Sequence, residues 1–341
     1  MTERKFDVAV LGATGMVGEA MLSILAQRNF PIGNLYALAS KHSAGNTVEF
    51  KRKGILVEDA AEFDFSKVQI GLFSAGGSIS AIYAPIAAEA GCLVIDNTSE
   101  FRYEADIPLV IPEVNRQALE NYRARNIIAN PNCAVMQMLV ALKPIHDAVG
   151  IERINVATYQ SVSGTGKKGV AELSKQTLDL LNGRPIEKSV YPKQIAFNVI
   201  PHINDFHDNG YTAEEMKIVW ETQKILEDSE IRVNPTTVRV PVFYGHSEAI
   251  NIETRTKITA DEVRALLAEA PGVIVIDKPA KAGYPTPISE GTGEDAVYVG
   301  RIREDISHPR GINLWVVSDN IRKGAALNAV QIAEIMIAEY L

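Results

Sequence analysis

The feature that most constrains the fold is a strand, a glycine turn and a helix close to the N-terminus. Residues 6–11 form an apolar run typical of a strand, and residues 19–25 repeat apolar side chains at helical spacing. Between them, residues 12–18 carry glycine at positions 12, 15 and 18. Glycines permit a tight turn and let a pyrophosphate approach the amides at the helix start. Because the spacing is GxxGxxG rather than GxGxxG, the pattern predicts either a dinucleotide-binding loop or a tight turn without a ligand.

Strands continue to alternate with helices over the first 130 residues. Further apolar strands are predicted at 35–39, 68–74, 93–96 and 127–129. This alternation predicts an α/β domain of the Rossmann type, with a parallel sheet and a ligand crevice at the carboxyl ends of its strands. We expect the loops after these strands to open on that crevice, where a residue at position 133 would meet a bound cofactor.

The pattern changes after about residue 150. Mixed strands and helices with short links predict an α+β domain built on a mostly antiparallel sheet, with residues 244–248 as a loop between two strand-like tracts. A long amphipathic helix ends the chain, and we expect it to pack on the first domain. The predicted division is therefore 1–131 completed by 320–341 for the first domain, and 132–319 for the second.

Composition excludes several classes of protein. The net charge of −8 argues against nonspecific binding to nucleic acid or anionic membranes. No apolar run approaches the ~18 residues that a membrane span requires, and the N-terminal segment shows no signal-peptide core. The two cysteines predict neither a disulfide framework nor a metal site. A reducing, cytoplasmic location fits best.

One of those cysteines lies in the run Asn130-Pro131-Asn132-Cys133, between a short strand and a long apolar helix. Asn132 is a good N-cap residue, and Pro131 disfavours helical backbone at the residue before it. Cys133 is therefore predicted in the first helical turn, where exposed amides and the helix dipole favour a thiolate. It is either a nucleophile or a small buried residue in a packed helix. Cys92 lies in an apolar strand and is predicted to be core.

The second predicted strand ends without the acidic residue that often holds a ribose 2′-hydroxyl. Ser40, Lys41, His42 and Ser43 stand there instead. Hydroxyl groups and a cation suit a 2′-phosphate, so NADP is favoured over NAD. The alternative is a solvated loop.

Six runs of residues together resemble the aspartate-semialdehyde dehydrogenase family. They occur in the family's order over nearly the whole chain, at 12–18, 97–102, 130–133, 159–166, 239–248 and 318–325. The chain departs from the family in two places. Ala134 and Val135 replace a common Ser-Thr pair, and His42 stands where many members carry Arg.

The resemblance implies a reaction in which L-aspartate 4-semialdehyde, phosphate and NADP⁺ give 4-aspartyl phosphate and NADPH through a cysteine thioester. Biosynthesis runs in the opposite direction, towards lysine (through diaminopimelate), methionine and threonine. The family also implies a homodimer whose second domains pair through their sheets.

The resemblance also implies roles for individual residues. The expected catalytic residues are Cys133, the acid/base His246, and Gln160, which orients the substrate. The expected substrate and phosphate ligands are Arg102, Asn132, Glu214, Lys217 and Arg239. The expected cofactor ligands are Gly12, Thr14, Gly15, Met16, Val17, Ser40, Lys41, His42, Ser43, Ser163, Gly164 and Asn320.

Three of these roles have alternatives in the residues themselves. Glu214 and Lys217 are three apart on a predicted helix and would also suit a solvated pair. Arg239, in an apolar strand, needs an anionic partner, which is either a substrate carboxylate or an internal acid. A lone histidine in a loop is more often structural than catalytic.

Other functions compete with this interpretation. N-acetyl-glutamyl-phosphate reductase shares the domain plan, but its cysteine normally lies in a Gly-Cys-Tyr-Pro-Thr context that this chain lacks. A non-catalytic paralogue would be expected to lose the cysteine. A cysteine hydrolase would leave the N-terminal glycine loop without a purpose.

Overall fold

A computed structural model of the chain describes residues 4–278, 280 and 282–341. Residues 1–3, at the start of the N-terminal segment considered above, lie outside the described residues. The chain divides into two units. The first comprises Met1–Pro131 and Ala325–Leu341, and the second comprises Asn132–Gly324. The chain therefore returns to the first unit at Ala325 rather than at residue 320.

The first unit is an alternation of strands and helices. Its strands are β1 (Phe6–Leu11), β2 (Ile32–Ala39), β3 (Thr47–Phe50), β4 (Lys53–Asp59), β5 (Ile70–Phe73), β6 (Leu93–Asp96) and β7 (Ile127–Ala129). Its first helices are α1 (Met16–Gln27), α2 (Gly77–Glu89) and the single turn α3 (Pro112–Asn115).

These strands form one sheet in the order β3-β4-β2-β1-β5-β6-β7. From β4 to β7 every neighbouring pair is parallel. The carboxyl ends of β1, β2, β5, β6 and β7 therefore share one edge, as predicted. The antiparallel β3–β4 pair at the other end was not predicted, because its turn uses positive φ at Lys51 and Arg52 rather than a glycine.

The second unit holds the remaining elements of the chain before Ala325. Its strands are β8 (Ile151–Gln160), β9 (Arg232–Arg239), β10 (His246–Thr254), β11 (Val273–Val275), β12 (Val297–Glu304) and β13 (Gly311–Ser318). Its helices are α4 (Cys133–Val149), α5 (Lys167–Leu181), α6 (Ala213–Leu226) and α7 (Ala260–Ala268).

The sheet of the second unit has the order β11-β12-β13-β10-β8-β9. The three central pairs are antiparallel, and the two outer pairs, β11–β12 and β8–β9, are parallel. The prediction of a loop at residues 244–248 was wrong in part, because His246, Ser247 and Glu248 are the first residues of β10. The prediction missed this because polar residues at a site interrupt the apolar pattern from which strands are recognised.

Alternation along the strands places the polar residues of this sheet in rows. His246 and Glu248 lie on one face of β10, since residues two apart in a strand share a face. On β8 and β9, Gln160 is in register with Arg239, and Thr158 with Thr237. Helix α4 packs against β8, β10, β12 and β13.

The C-terminal helix α8 (Leu327–Glu339) belongs to the first unit. It packs beside α1, and its residues Leu327, Val330, Ile332 and Met336 join the core formed with β1 and the neighbouring strands. No helix among the described residues is long and apolar enough to cross a lipid bilayer.

Candidate active site

The start of α4 has the predicted capping geometry. Asn132 has extended backbone, and its side-chain oxygen accepts from the amide of Ala134 at 2.9 Å and, more weakly, from that of Val135 at 3.4 Å. Cys133 is the first residue of the helix and is partly exposed. A Cβ on Gly324 would lie 2.9 Å from the Cys133 Cβ. The missing side chain at Gly324 therefore leaves one side of the cysteine uncrowded.

Glu214 of α6 connects the cysteine's helix to the end of β8. One of its carboxylate oxygens accepts from Asn132 Nδ2 at 2.9 Å and from Gln160 Nε2 at 3.2 Å. The other accepts from Asn204 Nδ2 at 3.0 Å and from Lys217 Nζ at 3.1 Å. Glu214 is only 5% exposed, so the Glu214–Lys217 pair is not the solvated surface pair of the alternative interpretation.

These contacts keep Glu214 ionised. Burial by itself would raise the pKa of this carboxyl, but the Lys217 charge and hydrogen bonds from Asn132, Gln160 and Lys217 outweigh burial and lower its pKa to about 2. The site therefore contains a fixed negative charge at neutral pH.

His246 is fully buried, and one of its ring nitrogens has a fixed partner. The Ser161 backbone amide lies 3.1 Å from Nδ1, and a backbone N–H can only donate. Nδ1 is therefore the acceptor, and the neutral ring carries its proton on Nε2. Nε2 has no hydrogen-bond partner within the described ranges.

The ring is neutral at physiological pH. Burial and the Arg239 charge lower the pKa of His246 to about 3, although Glu214 and the Gly245 backbone oppose the change. His246 thus presents an Nε2–H donor in its resting state.

Arg239, the last residue of β9, is 5% exposed. Its Nη1 donates to the Ser161 carbonyl at 2.7 Å, and no acidic residue of the described chain forms an ion pair with it. The internal-acid alternative for Arg239 is therefore excluded within the described residues. A Cβ on Gly164 would lie 2.9 Å from Arg239 Nη1 and 3.4 Å from His246 Nε2. A side chain at position 164 would therefore press on the Arg239 guanidinium and lie in contact with the His246 ring.

Asn320, just beyond β13, organises the turn that carries Ser163 and Gly164. Its Oδ1 accepts from Ser161 Oγ and Ser163 Oγ, each at 3.1 Å, and from the Gly245 amide at 3.0 Å. Its Nδ2 donates to Ser163 Oγ at 3.0 Å. The three predicted cofactor ligands of the second unit, Ser163, Gly164 and Asn320, thus lie together beside His246.

Two comparisons of sequence agree on the family of this chain. Family models described as "Semialdehyde dehydrogenase, NAD binding domain" and "Semialdehyde dehydrogenase, dimerisation domain" match residues 7–122 and 142–323. A relative from Legionella pneumophila, named aspartate-semialdehyde dehydrogenase, is 64% identical over 99% of this chain and 97% of its own length.

The chain belongs to the aspartate-semialdehyde dehydrogenase family.

Solved structures agree with this family assignment. The aspartate semialdehyde dehydrogenase II of Vibrio cholerae, complexed with ASA, is 59% identical and superposes with a TM-score of 0.98 over 99% of this chain and 100% of its own. The enzyme of Candida albicans with NADP is 26% identical, with a TM-score of 0.76 over 98% of this chain and 99% of its own. The predicted family, two-domain α/β fold, enzyme class and nicotinamide cofactor are confirmed.

The first unit carries the glycine loop that the family's NAD-binding domain contains. Gly12 has φ +87°, which favours glycine, and a Cβ there would lie 2.9 Å from the Ser74 carbonyl carbon. A Cβ on Gly18 would lie 2.2 Å from the Gly12 carbonyl oxygen. Helix α1 begins at Met16, with Gly15 as an N-cap that brings no side chain over the first turn. The loop therefore fits a pyrophosphate, as family membership requires.

The other predicted ligands of the first unit lie at the carboxyl edge of its sheet. Ser40, Lys41 and His42 are exposed in the turn after β2, where the Ser43 amide donates to the Ser40 carbonyl at 2.8 Å. Arg102 is buried and donates from Nη2 to the Asn97 carbonyl at 3.0 Å. Because Arg102 belongs to the first unit, its role as a phosphate ligand stays a prediction.

Sequence reasoning missed three residues that support the site. Ser161 binds His246 through its amide and Arg239 through its carbonyl. Glu221 is fully buried, and its Oε2 accepts from the Asn132 amide at 2.6 Å. Asn204 donates to Glu214 from the irregular segment that precedes α6. Glu221 could have been found, because it lies two helical turns after Glu214 on the same face. Asn204 gave no such signal.

The two cysteines should react differently with a thiol reagent. Burial raises the pKa of Cys92 to about 12, and its side chain is fully enclosed, whereas Cys133 is partly exposed at a helix start. We expect one equivalent of iodoacetamide to label Cys133 and spare Cys92, as read by peptide mass spectrometry of the native protein. A Cys92→Ala variant should keep the labelling rate. Labelling of Cys92 first, with Cys133 unmodified, would contradict this assignment.

Proposed function

We propose that this chain catalyses the reversible, phosphate-dependent oxidation of L-aspartate 4-semialdehyde to 4-aspartyl phosphate with NADP, as one step in the synthesis of lysine, methionine and threonine. The observation that carries the proposal is the set of groups that the second unit presents at the start of α4 and at the adjoining ends of β8, β9 and β10. A helix-start thiol, a neutral histidine donor and a buried arginine that forms no ion pair with any described acidic residue match an aldehyde substrate that bears a carboxylate.

Cys133 is the nucleophile of this mechanism. In the oxidative direction its thiolate adds to the aldehyde carbon, and the former carbonyl oxygen becomes a hemithioacetal oxyanion. Bound NADP, which the glycine loop of the first unit would hold, would supply the acceptor for the hydride that leaves that carbon. The thioester left on Cys133 is then attacked by phosphate, which forms the acyl phosphate and releases the thiolate. The amides at the start of α4 favour the thiolate as reactant and as leaving group.

His246 acts as a hydrogen-bond donor. Because Ser161 occupies Nδ1, the neutral ring donates a hydrogen bond from Nε2–H to the developing oxyanion, and the proton stays on Nε2. The hydrogen bond then passes to the carbonyl oxygen of the thioester. The low pKa of His246 favours this donor role over proton removal from the Cys133 thiol in the resting enzyme.

Arg239 binds the α-carboxylate of the substrate. Its guanidinium is held by Ser161 and has no acidic partner in the part of the chain that the structure describes, so the remaining donors of its planar fork are kept for a bidentate contact. Gln160 and Asn132 both donate to the same oxygen of Glu214, which fixes their side chains close to each other. Glu214 is the anionic group for the substrate ammonium, and Lys217 is the cation for phosphate.

The cofactor is NADP, held in the first unit by the glycine loop and by Ser40, Lys41, His42 and Ser43. The described turn presents hydroxyl groups and a lysine to solvent, and no acidic residue stands among them to repel a 2′-phosphate. The protein functions as a homodimer, as the dimerisation domain of its family supports. Its place of action is the cytoplasm, where its two free cysteines stay reduced.

The first test compares substrates. We expect phosphate-dependent NADPH formation with aspartate semialdehyde and little with N-acetylglutamate semialdehyde. Cys133→Ser should fold normally and lose turnover by orders of magnitude, since a serine hydroxyl has a much higher pKa than a thiol. Cys92→Ala is the matched control and should keep the parent rate. Preference for the N-acetylated substrate would assign the chain the neighbouring reductase activity instead.

A second test separates the carboxylate and phosphate roles. Arg239→Leu should raise the KM for the semialdehyde roughly thirtyfold, because a charged hydrogen-bonded contact contributes about 2 kcal/mol. Lys217→Met should instead raise mainly the KM for phosphate. The two KM values are measured from initial rates, with first the semialdehyde and then phosphate as the varied substrate. Equal effects of both variants on both substrates would show that the two roles are not separate.

A third test concerns the 2′-phosphate. The parent should have a higher kcat/KM with NADP than with NAD, and Lys41→Ala should reduce that ratio by removing the fixed cation. His42→Arg should increase it, since guanidinium binds phosphate bidentately. Gly45→Ala is the control, because it strains the same turn at a positive φ of +87° without removing a polar group. It therefore shows the effect of a change in loop conformation alone. A parent ratio at or below one would show that this turn does not read the phosphate.

A further inference from the structure

A second buried carboxyl lies on the strand that carries His246. Glu248 is fully buried on β10, two residues after His246 and on the same face of the sheet. Neither of its carboxyl oxygens has a hydrogen-bond partner in the described part of the chain. Burial raises the pKa of this carboxyl well above its ordinary value, and only the Gln137 amide opposes the rise.

Gln137 of α4 is the residue whose side chain faces Glu248. It lies one helical turn after Cys133, on the same side of the helix, and is 1% exposed. Its amide is near enough to affect the Glu248 carboxyl, yet neither its nitrogen nor its oxygen makes a hydrogen bond of ordinary geometry. Two facing groups therefore leave four polar atoms without partners, which is unusual for a protein interior.

The chemistry of donors and acceptors decides which form of Glu248 fits. An ionised carboxyl has acceptors only, so it could use the Gln137 N–H but would leave the Gln137 oxygen without a donor. It would also be a buried charge without a cation, which is costly. A protonated carboxyl donates from one oxygen and accepts at the other, which complements a carboxamide at both atoms. Turned towards each other, the two groups would pair all four atoms.

The same unit shows how this protein satisfies a buried carboxylate that is ionised. Glu172 accepts from the backbone amides of Ser189 and Val190 and from the Ser189 hydroxyl, at 2.9, 2.5 and 2.8 Å. Burial would raise its pKa, but these donors lower it. Glu248 has none of these donors, so its surroundings do not resemble those of a charged group.

The position of Glu248 connects it to the reacting groups. Its register partner on β8 is Thr158, whose hydroxyl donates to Gln160 Oε1 at 3.1 Å. Cys133 begins the helix that carries Gln137, and His246 begins the strand that carries Glu248. A hydrogen-bonded pair of Glu248 and Gln137 would therefore fix α4 against β10, the two elements that begin with Cys133 and His246.

We propose that Glu248 and Gln137 form a two-point pair, with the acid O–H donating to the amide oxygen and the amide N–H donating to the acid oxygen, and that this pair holds Cys133 in position relative to His246. Glu248 is then a positioning residue, and its carboxyl stays neutral throughout the reaction. The positioning role rests on the function proposed above, whereas the neutral pair does not.

The first measurement tests the pair without using activity. Infrared difference spectra between the parent and Glu248→Gln should show the loss of a carbonyl stretch from a protonated carboxylic acid at pH 7. Glu172→Gln is the matched control and should show the loss of carboxylate bands instead. If Glu248→Gln also removes only carboxylate bands, Glu248 is ionised and the proposal is wrong.

The second measurement tests positioning. Glu248→Gln retains a two-point pair, now between two amides, and should keep kcat and its pH profile close to those of the parent. Glu248→Leu and Gln137→Leu should each lower kcat on the order of ten- to a hundredfold with little change in KM, and should slow alkylation of Cys133, since small misplacements of reacting groups are costly. The double leucine variant should regain stability, because no orphaned group remains, but should not regain kcat.

The outcomes are distinguishable. A Glu248→Gln variant as inactive as Glu248→Leu would mean that the acid proton itself takes part, which overturns the positioning role. Recovery of kcat in the double leucine variant would show that only core packing matters, which also overturns it. If the parent does not act on aspartate semialdehyde, the proposed function fails, while the infrared result still decides the pair.

Discussion

The second unit, which carries the proposed catalytic groups, depends on one buried carboxylate. Glu214 is removed from water, and the cost of burying its charge is offset by Lys217 and by three side-chain amides. Those amides come from the helix start at Asn132, the strand end at Gln160 and the loop at Asn204. A buried ion that loses a partner is strongly destabilised, so each of these segments is held where Glu214 needs its donor. The position of the thiol follows, because Cys133 is covalently next to one of the donors.

The buried positive charge of Arg239 is also held in place by a fixed hydrogen-bond partner. Arg239 is buried next to His246, and its charge helps to keep the imidazole neutral. Ser161 binds both side chains, with its carbonyl on the guanidinium and its amide on Nδ1. The backbone of a single residue thus fixes the direction of the arginine and the tautomer of the histidine. The direction of the guanidinium determines which anion the site can bind, and the tautomer determines which nitrogen of His246 can donate.

Burial has different consequences for the carboxyls of this unit. Glu214 and Glu172 are surrounded by donors and stay ionised, whereas Glu248 faces a single amide and favours its neutral form. Because Glu214 and Glu248 are both enclosed by protein, the difference between these two lies in the number of donors rather than in the degree of burial. Neutral Glu248 behind His246 adds no negative charge that would raise the histidine's pKa. The low histidine pKa and the neutral acid are therefore compatible.

The sequence by itself determined the properties that are local in the chain. The glycine loop before α1, the cap at Asn132 and the position of Cys133 in the first helical turn each depend on neighbouring residues, and all were predicted. The tertiary structure decided what depends on distant residues. Whether Glu214 is solvated or buried, which nitrogen of His246 carries the proton, and that Glu248 faces Gln137 all depend on segments far apart in sequence. Local patterns carry no information about such neighbours, because burial and charge pairing are set by packing between elements.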